Sequence, residues 1–378
     1  MNLSFLTDLN FFRRKDAVAL DIGSNSIKLL QLSRTKKGWE LKKLGLAGLP
    51  PEAIVDGSII DSMTVTNTIK DLIKEHGVKL KDAVSSLTGH SVIIKKVGFP
   101  AMSEEELAES IQWEAEQYIP FPMSDVNIDF QILGADSEGR GQMDVMLVAV
   151  KKDGINDYTN VIKEAGLSPV VIDVDSFALE NMMEINYPVA PGEHIAIVNI
   201  GASITSISVL SGGLTIFTRS IPMGGNQFTE DIQRQLSVSF KDAEDMKTGK
   251  KVEKKAEQPE EGGPGTAMGA DVGSGGAEGY SLEGISNNLV FEVKRSLDFF
   301  LGSSHGAFVN KIYLSGGGSK IENFATLLQE KTGMPVEHIN PFKNLEINPK
   351  AFGEDKLSGL ATFFGVAVGL GTRRFGDR

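Results

Sequence analysis

The sequence predicts an α/β protein made of two related halves. Residues 17–32, AVALDIGSNSIKLLQL, have the alternating apolar pattern of a strand, then a polar turn and a second strand. Residues 195–210, IAIVNIGASITSISVL, repeat this design, and a later strand at 311–315 leads into three consecutive glycines. Because an internal repeat changes the expected fold of a whole chain, the duplicated hairpin is the main evidence for two halves.

The composition excludes several classes of function. The chain has 378 residues, of which 41% are hydrophobic and 23% charged, as in an ordinary globular protein long enough for two sizeable cores. It has no cysteine, which excludes disulfides, thiolate metal sites and cysteine nucleophiles. A formal net charge of −12 argues against general nucleic-acid binding. We also predict no membrane-spanning segment, since the uncharged run 357–372 is short and rich in glycine.

The first hairpin turn has the residue types of a phosphate-binding concavity. Small and polar residues let successive backbone N–H groups point at an anion, and they are Gly23, Ser24, Asn25 and Ser26. Asp21, at the end of the first strand, is placed to hold Mg²⁺ through water, and Lys28 supplies a positive charge. An ordinary Asx-type turn is the alternative for this hairpin alone. The second copy favours the ligand site.

Three further stretches match such a site. In the second hairpin, Asn199 would face the metal through water, and Gly201, Ala202 and Ser203 would contact phosphate. A helix begins after Gly224, Gly225 and Asn226, and its first N–H groups are predicted to face the ligand. The run Gly316, Gly317 and Gly318 permits close approach of the backbone to a ligand.

The two hairpins and the glycine run, in this order, resemble the phosphate-1, phosphate-2 and adenosine motifs of the actin-like ATPase superfamily. Residues 221–226, IPMGGN, are similar to the cell-division actin FtsA. Residues 113–121, WEAEQYIPF, and 291–300, FEVKRSLDFF, most resemble the PilM family of type IV pilus assembly proteins. The resemblance implies an actin-like, duplicated ribonuclease H-like fold of two lobes, with an inserted subdomain of the FtsA/PilM type.

The resemblance also implies a division of the chain into subdomains. A leader occupies 1–16, and its apolar residues precede Arg13-Arg14-Lys15. The leader packs on its own domain, is disordered, or forms a short amphipathic helix on a membrane or a partner. The expected subdomains are a first core (17–97 and 169–194), an inserted small subdomain (98–168), a second core (195–238 and 305–378) and a fourth subdomain (239–304). Within the last, the composition of 241–281 predicts a flexible loop.

Patterning predicts the individual elements of the first half. A strand is expected at 39–49, a helix at 66–76 and one strand at 83–97. A helix capped by Ser103 runs to about Tyr118, with Leu107 and Ile111 on its buried face. Trp113 and Tyr118 fall outside that face, and they either cover the junction with the next segment or form a surface for docking a peptide.

For chemistry, the resemblance implies ATP and Mg²⁺. Asp175 stands where the superfamily often has the residue that orients the attacking water, with helix capping as the alternative. Glu292 and Lys294 would reach the adenosine and Arg295 would neutralise it, with a solvated helix face as the alternative. Asn199 stands where many members have aspartate, and an amide cannot act as a base. We therefore expect ATP binding with weak or negligible hydrolysis.

For function, the resemblance implies a cytoplasmic, ATP-binding adaptor at the inner-membrane face of the type IV pilus assembly platform. Its partner would be the cytoplasmic N-terminal tail of PilN, bound between the first core and inserted subdomains. The pilus motor ATPase is a second candidate partner, no nucleic acid is expected, and membrane contact would come mainly through partners. The alternatives are a filament-forming membrane tether like FtsA and, third, a small-metabolite kinase.

Overall fold

The computed structural model describes residues 16–135, 141–248, 280–304 and 307–374. The predicted leader, except for Asp16, and most of the predicted loop 241–281 lie outside these ranges. The strands form two large sheets, a three-stranded sheet and a two-stranded ribbon of β4 (Ile54–Val55) and β5 (Ser58–Ile59).

The first large sheet has six strands in the order β10-β6-β1-β2-β3-β16. Its strands β1, β2 and β3 form an antiparallel meander, and β6 and β10 continue the sheet in parallel beyond β1. The bounds are β1 Val18–Ile22, β2 Ser26–Arg34, β3 Trp39–Gly48, β6 Asp82–Leu87, β10 Ser168–Val174 and β16 Leu345–Glu346. The predicted first hairpin is therefore the β1–β2 pair at the centre of this sheet.

The second large sheet repeats this plan. Its five strands run in the order β13-β12-β11-β14-β15, with an antiparallel meander of β11, β12 and β13 and with β14 parallel to β11. The bounds are β11 His194–Ile200, β12 Thr205–Ser211, β13 Leu214–Ile221, β14 Lys311–Ser315 and β15 Val336–His338. The shared meander confirms the prediction of two related halves.

The third sheet corrects the prediction of one strand at 83–97. That segment breaks at Gly89, which has φ +83° and opens a short 3₁₀ turn. Its first part is β6, whereas its second part, β7 (Val92–Pro100), pairs with β9 (Gln142–Lys151), which in turn pairs with β8 (Val126–Ala135). We propose that the inserted subdomain starts at this break and not at residue 98.

The helices of the described residues cover the sheets. They are α1 Ser62–Glu75, α2 Glu104–Ala115, α3 Lys152–Glu164, α4 Asp175–Asn186, α5 Gly225–Leu236, α6 Phe240–Lys247, α7 Glu283–Ser303, α8 Phe324–Thr332, α9 Glu354–Leu360 and α10 Gly365–Thr372. In this part of the chain, none has the length and hydropathy needed to cross a membrane. Helix α6 shows that the loop prediction is wrong for residues 241–247.

Helix α2 has the predicted cap and buried face. Ser103 accepts from the backbone N–H of Glu106, whose carboxylate in turn accepts from the N–H of Ser103, a capping box. Leu107 and Ile111 are buried. Trp113, however, is 80% exposed and therefore does not cover the junction with the next segment.

The two large sheets share one core at the crossing of helices α4 and α10. Buried side chains of both sheets, such as Leu32 and Ile197, belong to this core together with residues of the two helices. At the crossing, Gly369 lies so close to the backbone of α4 that a Cβ there would come within 1.6 Å of the Ala178 carbonyl oxygen. The helices therefore touch backbone to backbone, which only glycine allows.

Candidate functional site

The two hairpin turns and the glycine run line one cleft of about 340 Å³ between the large sheets. All the predicted residues of both hairpins are among its lining residues. They are Asp21, Gly23, Ser24, Asn25, Ser26 and Lys28 in the first, and Asn199, Gly201, Ala202 and Ser203 in the second. The cleft is also lined by Asp175, Gly225, Asn226, Gly316, Gly317 and Gly318. Among the predicted residues alone, the structure thus brings together positions up to 297 apart in the chain, from Asp21 to Gly318.

The first hairpin has two oppositely charged side chains beside its turn. The N–H of Gly23 donates to the carbonyl of Ser26 at 3.2 Å, which closes the turn. The Lys28 ammonium lies 3.4 Å from the Asp21 carboxylate, and both side chains are largely buried. Burial raises the pKa of Asp21, and the charge of Lys28 opposes this shift. The first hairpin therefore contributes one carboxylate and one ammonium group to the site, and both are poorly solvated.

Asp175 places a second carboxylate in the cleft. It is the first residue of α4, and its Oδ1 accepts a hydrogen bond from Ser86 Oγ at 2.6 Å. Burial, and after it the nearby charge of Asp21, raises the pKa of Asp175 to about 7. A carboxyl group with a pKa near neutral can take or release a proton at physiological pH, which is what a general base requires.

The second hairpin closes in the same way as the first. The N–H of Gly201 donates to the carbonyl of Ile204 at 2.9 Å. The N–H groups of Gly225 and Asn226, at the start of α5, donate to the carbonyls of Gly201 and Ala202 at 2.9 and 2.7 Å. These N–H groups bind the hairpin, so the prediction that they face a ligand is wrong for these two donors.

Gly224 is not among the residues that line the cleft. A Cβ at this position would come within 2.6 Å of the Gly201 carbonyl oxygen and 2.7 Å of the Ala202 carbonyl oxygen. Glycine is therefore needed here for the close packing of α5 on the second hairpin. Contact of Gly224 with a ligand stays a prediction.

The glycine run sits directly on the end of strand β11. Gly316 has φ +84°, and a Cβ there would come within 2.3 Å of the Ile200 carbonyl oxygen. A Cβ on Gly318 would come within 2.4 Å of Ile200 Cγ2. Close backbone packing thus explains two of the three glycines before any ligand is considered.

Helix α6 and the residue that follows it add three residues to the cleft that the sequence did not predict, namely Glu244, Lys247 and Thr248. The Lys247 ammonium lies 2.5 Å from the Glu244 carboxylate and donates to Thr229 Oγ1 at 2.8 Å and to the Gly225 carbonyl at 3.0 Å. Its side chain is only 10% exposed, and burial lowers the pKa of Lys247. Its contact with Gly225 ties α6 to the start of α5.

Glu292 and Arg295 are not brought to the cleft. Both lie on α7, where the Arg295 guanidinium is 3.6 Å from the Glu292 carboxylate and is mostly exposed. Neither residue is among those that line the cleft. Their contact with adenosine stays a prediction.

The oxygen donors of the cleft suit Mg²⁺ bound through water. Among the described residues, no three His, Cys, Asp or Glu side chains are grouped to hold a metal directly. Asp21 and Asp175 supply carboxylates and Asn199 an amide, and Mg²⁺ commonly keeps several waters and takes one or two protein carboxylates. This donor set therefore fits a magnesium ion that also binds phosphate.

A family model for the type IV pilus assembly protein PilM matches residues 19–259 of the chain. The chain belongs to this family. A chain of the solved PilM-PilN type IV pilus biogenesis complex is 28% identical, with a TM-score of 0.78 over 95% of this chain and 98% of that one. These findings confirm the predicted PilM resemblance and give the chain a role in type IV pilus assembly.

More distant relatives confirm the actin-like fold. A model of the cell division protein FtsA matches residues 196–354. FtsA of Bacillus subtilis is 24% identical over 61% of this chain and 57% of that protein, and FtsA of Pseudomonas aeruginosa is 23% identical over 62% and 60%. This PilM-family chain thus spans about 60% of the length of these curated relatives. The ethanolamine utilization protein EutJ of Carboxydothermus hydrogenoformans, with a TM-score of 0.52 and 14% identity, shares the fold alone.

Proposed function

We propose that this PilM-family protein binds ATP with Mg²⁺ in the cleft and acts as a cytoplasmic adaptor of the type IV pilus inner-membrane platform. Nucleotide draws the two lobes together, and the closed state binds the cytoplasmic N-terminal tail of PilN. The observation that carries the proposal is the convergence of both hairpin turns and the glycine run on one cleft. Such a cleft offers polar groups from both lobes to one triphosphate.

Each side of the cleft has a distinct role in this proposal. The turn 23–26 and the turn 201–203 bind the phosphates from opposite lobes, and Lys28 neutralises phosphate charge. Asp21, with Asn199, binds waters of the magnesium ion. Gly316, Gly317 and Gly318 provide the surface for the adenosine, next to Lys247 and Glu244.

Hydrolysis is slow in this proposal. Phosphoryl transfer to water needs a metal, correct positioning and an oriented water. Asp175, the catalytic candidate, lies in the cleft and can accept a proton near neutral pH. Asn199 contributes no negative charge on the metal side, which weakens the hold on Mg²⁺. A turnover of about 1–100 per second, typical of kinases, would contradict slow hydrolysis.

The partner is proposed from the structural match. The solved relative is described as a complex of PilM with PilN, and the superposition covers 95% of this chain. We place the tail of PilN between the first core and inserted subdomains, in the region of 98–129, where an extended peptide would bind by strand addition or in a groove. The pilus motor ATPase is a second candidate partner.

A nucleotide titration tests the cleft. We expect saturable binding of MgATP by the wild type, and a loss of affinity of about tenfold or more in Asp21→Ala and in Lys28→Ala, because each removes a charged contact. Asp355→Ala and Lys331→Ala are matched controls, because both residues are exposed and away from the cleft. Equal affinity of all five proteins would overturn the proposal.

A pull-down with a PilN tail peptide tests the adaptor role. We expect the peptide to capture the wild type more strongly with MgATP than without nucleotide, because the closed state binds it. Asp21→Ala should lose the increase caused by MgATP while keeping basal capture. A scrambled peptide of the same composition is the control, and equal capture by both peptides would contradict the proposal.

A filament-forming membrane tether like FtsA is the second candidate, favoured by the FtsA model over 196–354. This candidate predicts that the protein forms polymers with MgATP that sediment at high speed. It also predicts that these polymers bind vesicles when no partner protein is present. Absence of sedimenting polymer with MgATP would exclude it. A small-metabolite kinase, the third candidate, predicts phosphorylation of a sugar in a coupled assay.

A further inference from the structure

A second cavity, of about 620 Å³, lies beside the first turn of helix α8. We call it the α8 cavity. It is lined by residues 319–323, by the start of α8, by residues 338–340 at the end of β15, and by part of the segment 358–362. No described residue lines both this cavity and the cleft between the large sheets, so the two are separate sites.

The first turn of α8 leaves backbone donors unsatisfied beside the cavity. Helix α8 begins at Phe324, and the side chain of its N-cap residue, Asn323, makes no capping hydrogen bond. The N–H of Phe324 donates to the Ile321 carbonyl at 3.2 Å, whereas the N–H groups of Ala325 and Thr326 have no acceptor within the described part of the chain. Ala325 and Thr326 both line the cavity. Free N–H groups at a helix N-terminus attract anions, and the helix dipole adds to this attraction.

A buried hydroxyl in another wall of the α8 cavity also lacks a partner. Thr362 lines the cavity and is only 4% exposed. Its Oγ1 has no hydrogen-bond partner among the residues that the structure describes. Because an unpaired buried hydroxyl is unfavourable, such a group is commonly satisfied by a bound molecule. This observation is independent of α8, and it also indicates a polar ligand in the cavity.

Lys320 brings a positive charge to the α8 cavity. Its ammonium donates to the Gly359 carbonyl and lies 5.3 Å from the centre of the Phe363 ring, and these two contacts hold it in place. On the facing strand end, His338 Nε2 lies 2.8 Å from the Ser319 carbonyl oxygen. Because a carbonyl only accepts, Nε2 carries the proton and donates, which leaves Nδ1 as an acceptor for a ligand O–H group.

The remaining lining residues are compatible with an anion that has an apolar body. Glu322 is the one carboxylate among the described lining residues, and it is exposed, so water screens its charge. Apolar lining comes from Ile321, Ala325, Ile339 and Ala361. A volume of about 620 Å³ lies in the range of sites for small organic molecules.

We propose that the α8 cavity binds a small phosphorylated molecule. The phosphate accepts hydrogen bonds from the N–H groups of Ala325 and Thr326, and further ones from the Lys320 ammonium and the Thr362 hydroxyl. These donors come from three parts of the chain, and a phosphate has enough oxygens to accept from all of them, whereas a carboxylate has two. The proposal goes beyond the adaptor role, because it gives the protein a second ligand outside the cleft.

The α8 cavity and the cleft share a wall, so both ligands can be bound at once. Residues 316–318 line the cleft, and the next two, Ser319 and Lys320, line the cavity. In the same way Phe363 lines the cleft and Thr362 the cavity. The two segments are joined by a hydrogen bond from the N–H of residue 316 to the Thr362 carbonyl at 2.7 Å.

Calorimetric titration of the full chain with phenyl phosphate tests the proposal. The titration is done with Mg²⁺ and a saturating non-hydrolysable ATP analogue, which fill the cleft. We expect saturable binding of phenyl phosphate, and binding of phenol weaker by about tenfold or more, because phenol lacks the phosphate. Lys320→Gln should weaken the binding of phenyl phosphate about tenfold, since it removes a charged donor and keeps a side chain of similar length.

Thr362→Val separates binding from folding. Valine has the shape of threonine without the hydroxyl, so this variant should bind phenyl phosphate about threefold to tenfold more weakly. The melting temperature of the ligand-free variant should not fall, because the hydroxyl that is removed has no partner within the described residues. Wild-type affinity in Thr362→Val would contradict the proposed contact.

Lys331→Gln is the matched control, because it removes the same charge from the last turn of α8 and Lys331 does not line the cavity. We expect it to bind phenyl phosphate as the wild type does. Wild-type affinity in Lys320→Gln, equal loss in both lysine variants, or displacement of phenyl phosphate by the ATP analogue would overturn the proposal. A loss of phenyl phosphate binding in Lys28→Ala would place the probe in the cleft and would also overturn it. Failure of ATP to bind the cleft shows in the separate nucleotide titration, so the two failures are distinguishable.

Discussion

The Lys28 ammonium lies 3.4 Å from the carboxylate of Asp21, so the first hairpin holds an ion pair at the point where the two lobes face each other. A triphosphate would compete with Asp21 for Lys28, and a magnesium ion would take the place of Lys28 beside Asp21. Binding of both ligands together satisfies both side chains. The geometry therefore favours joint binding of metal and nucleotide over binding of either alone.

Removal of Mg²⁺ tests this coupling. With EDTA, the affinity of the wild type for ATP should fall about tenfold to a hundredfold, because Asp21 would then face phosphate without a metal between them. In Asp21→Asn the effect of EDTA should be much smaller. Calorimetric titrations with and without Mg²⁺ measure both effects. The same loss in both proteins would exclude Asp21 as the metal-side residue.

Asp175→Asn should stabilise the nucleotide-free protein at alkaline pH. Because the pKa of Asp175 is raised to about 7, the folded protein takes up a proton there more readily than the unfolded chain does. The stability that this proton contributes is complete below the ordinary pKa of 3.8 and is lost as the pH rises through about 7. Asparagine cannot ionise and avoids this loss.

The expected gain for Asp175→Asn in the free energy of unfolding is about 1–3 kcal/mol near pH 8, and it should shrink towards zero near pH 4. Denaturant titrations at several pH values measure it. Asp355→Asn, at an exposed position in α9, is the control and should show no such trend. A gain that does not depend on pH would show that burial of the Asp175 charge is not its cause.

Gly316→Ala should be strongly destabilising. The methyl group would lie 2.3 Å from the Ile200 carbonyl oxygen, and the φ of +84° is itself unfavourable for alanine. We expect a loss of about 2–4 kcal/mol in the free energy of unfolding and, in any folded fraction, weak ATP binding. Gly302→Ala in helix α7 is the control, because nothing lies within 4 Å of its added methyl group. Equal stability of the two variants would contradict the backbone contact.

Lys247→Met should weaken ATP binding about tenfold and lower the free energy of unfolding by about 1–3 kcal/mol. The variant keeps a long side chain but removes the ammonium that contacts Glu244, Thr229 and the Gly225 carbonyl. Lys241→Met, on the exposed side of the same helix, should change neither quantity. Unchanged ATP binding by Lys247→Met would show that α6 does not take part in the site.

Sequence patterns predicted the hairpins well because their information is local. Alternation of apolar residues defines β1 and β11, and small polar residues mark the turns, so the turn residues that line the cleft could be named in advance. The match between Asn199 and Asp21 also predicted that the two turns are equivalent. Their approach across one cleft followed from the family resemblance, since no local pattern encodes a contact between residues so far apart.

Two features escaped prediction for physical reasons. The charge-rich composition after residue 240 predicted a loop, whereas Ser239 caps α6 by accepting from the N–H of Asp242 and Ala243 is fully buried. Recognition of Ser239 as a helix cap would have predicted α6 and, with it, the position of Lys247 on a helix. The segment 83–97 looked like one strand because both its halves alternate, but Gly89 adopts a positive φ and divides it between two sheets. A hydrophobic pattern that is judged over a window of residues does not reveal the effect of one glycine with a positive φ.

The contact between Gly369 and Ala178 limits how the lobes can move. Two helices whose main chains touch have no side chains between them to yield, so they can rotate about the point of contact but can hardly slide or separate. The contact between α4 and α10 therefore acts as a fixed pivot point for the two lobes. A methyl group at residue 369 would push the two helices apart, and it would change the opening between the two hairpin turns without contacting either of them.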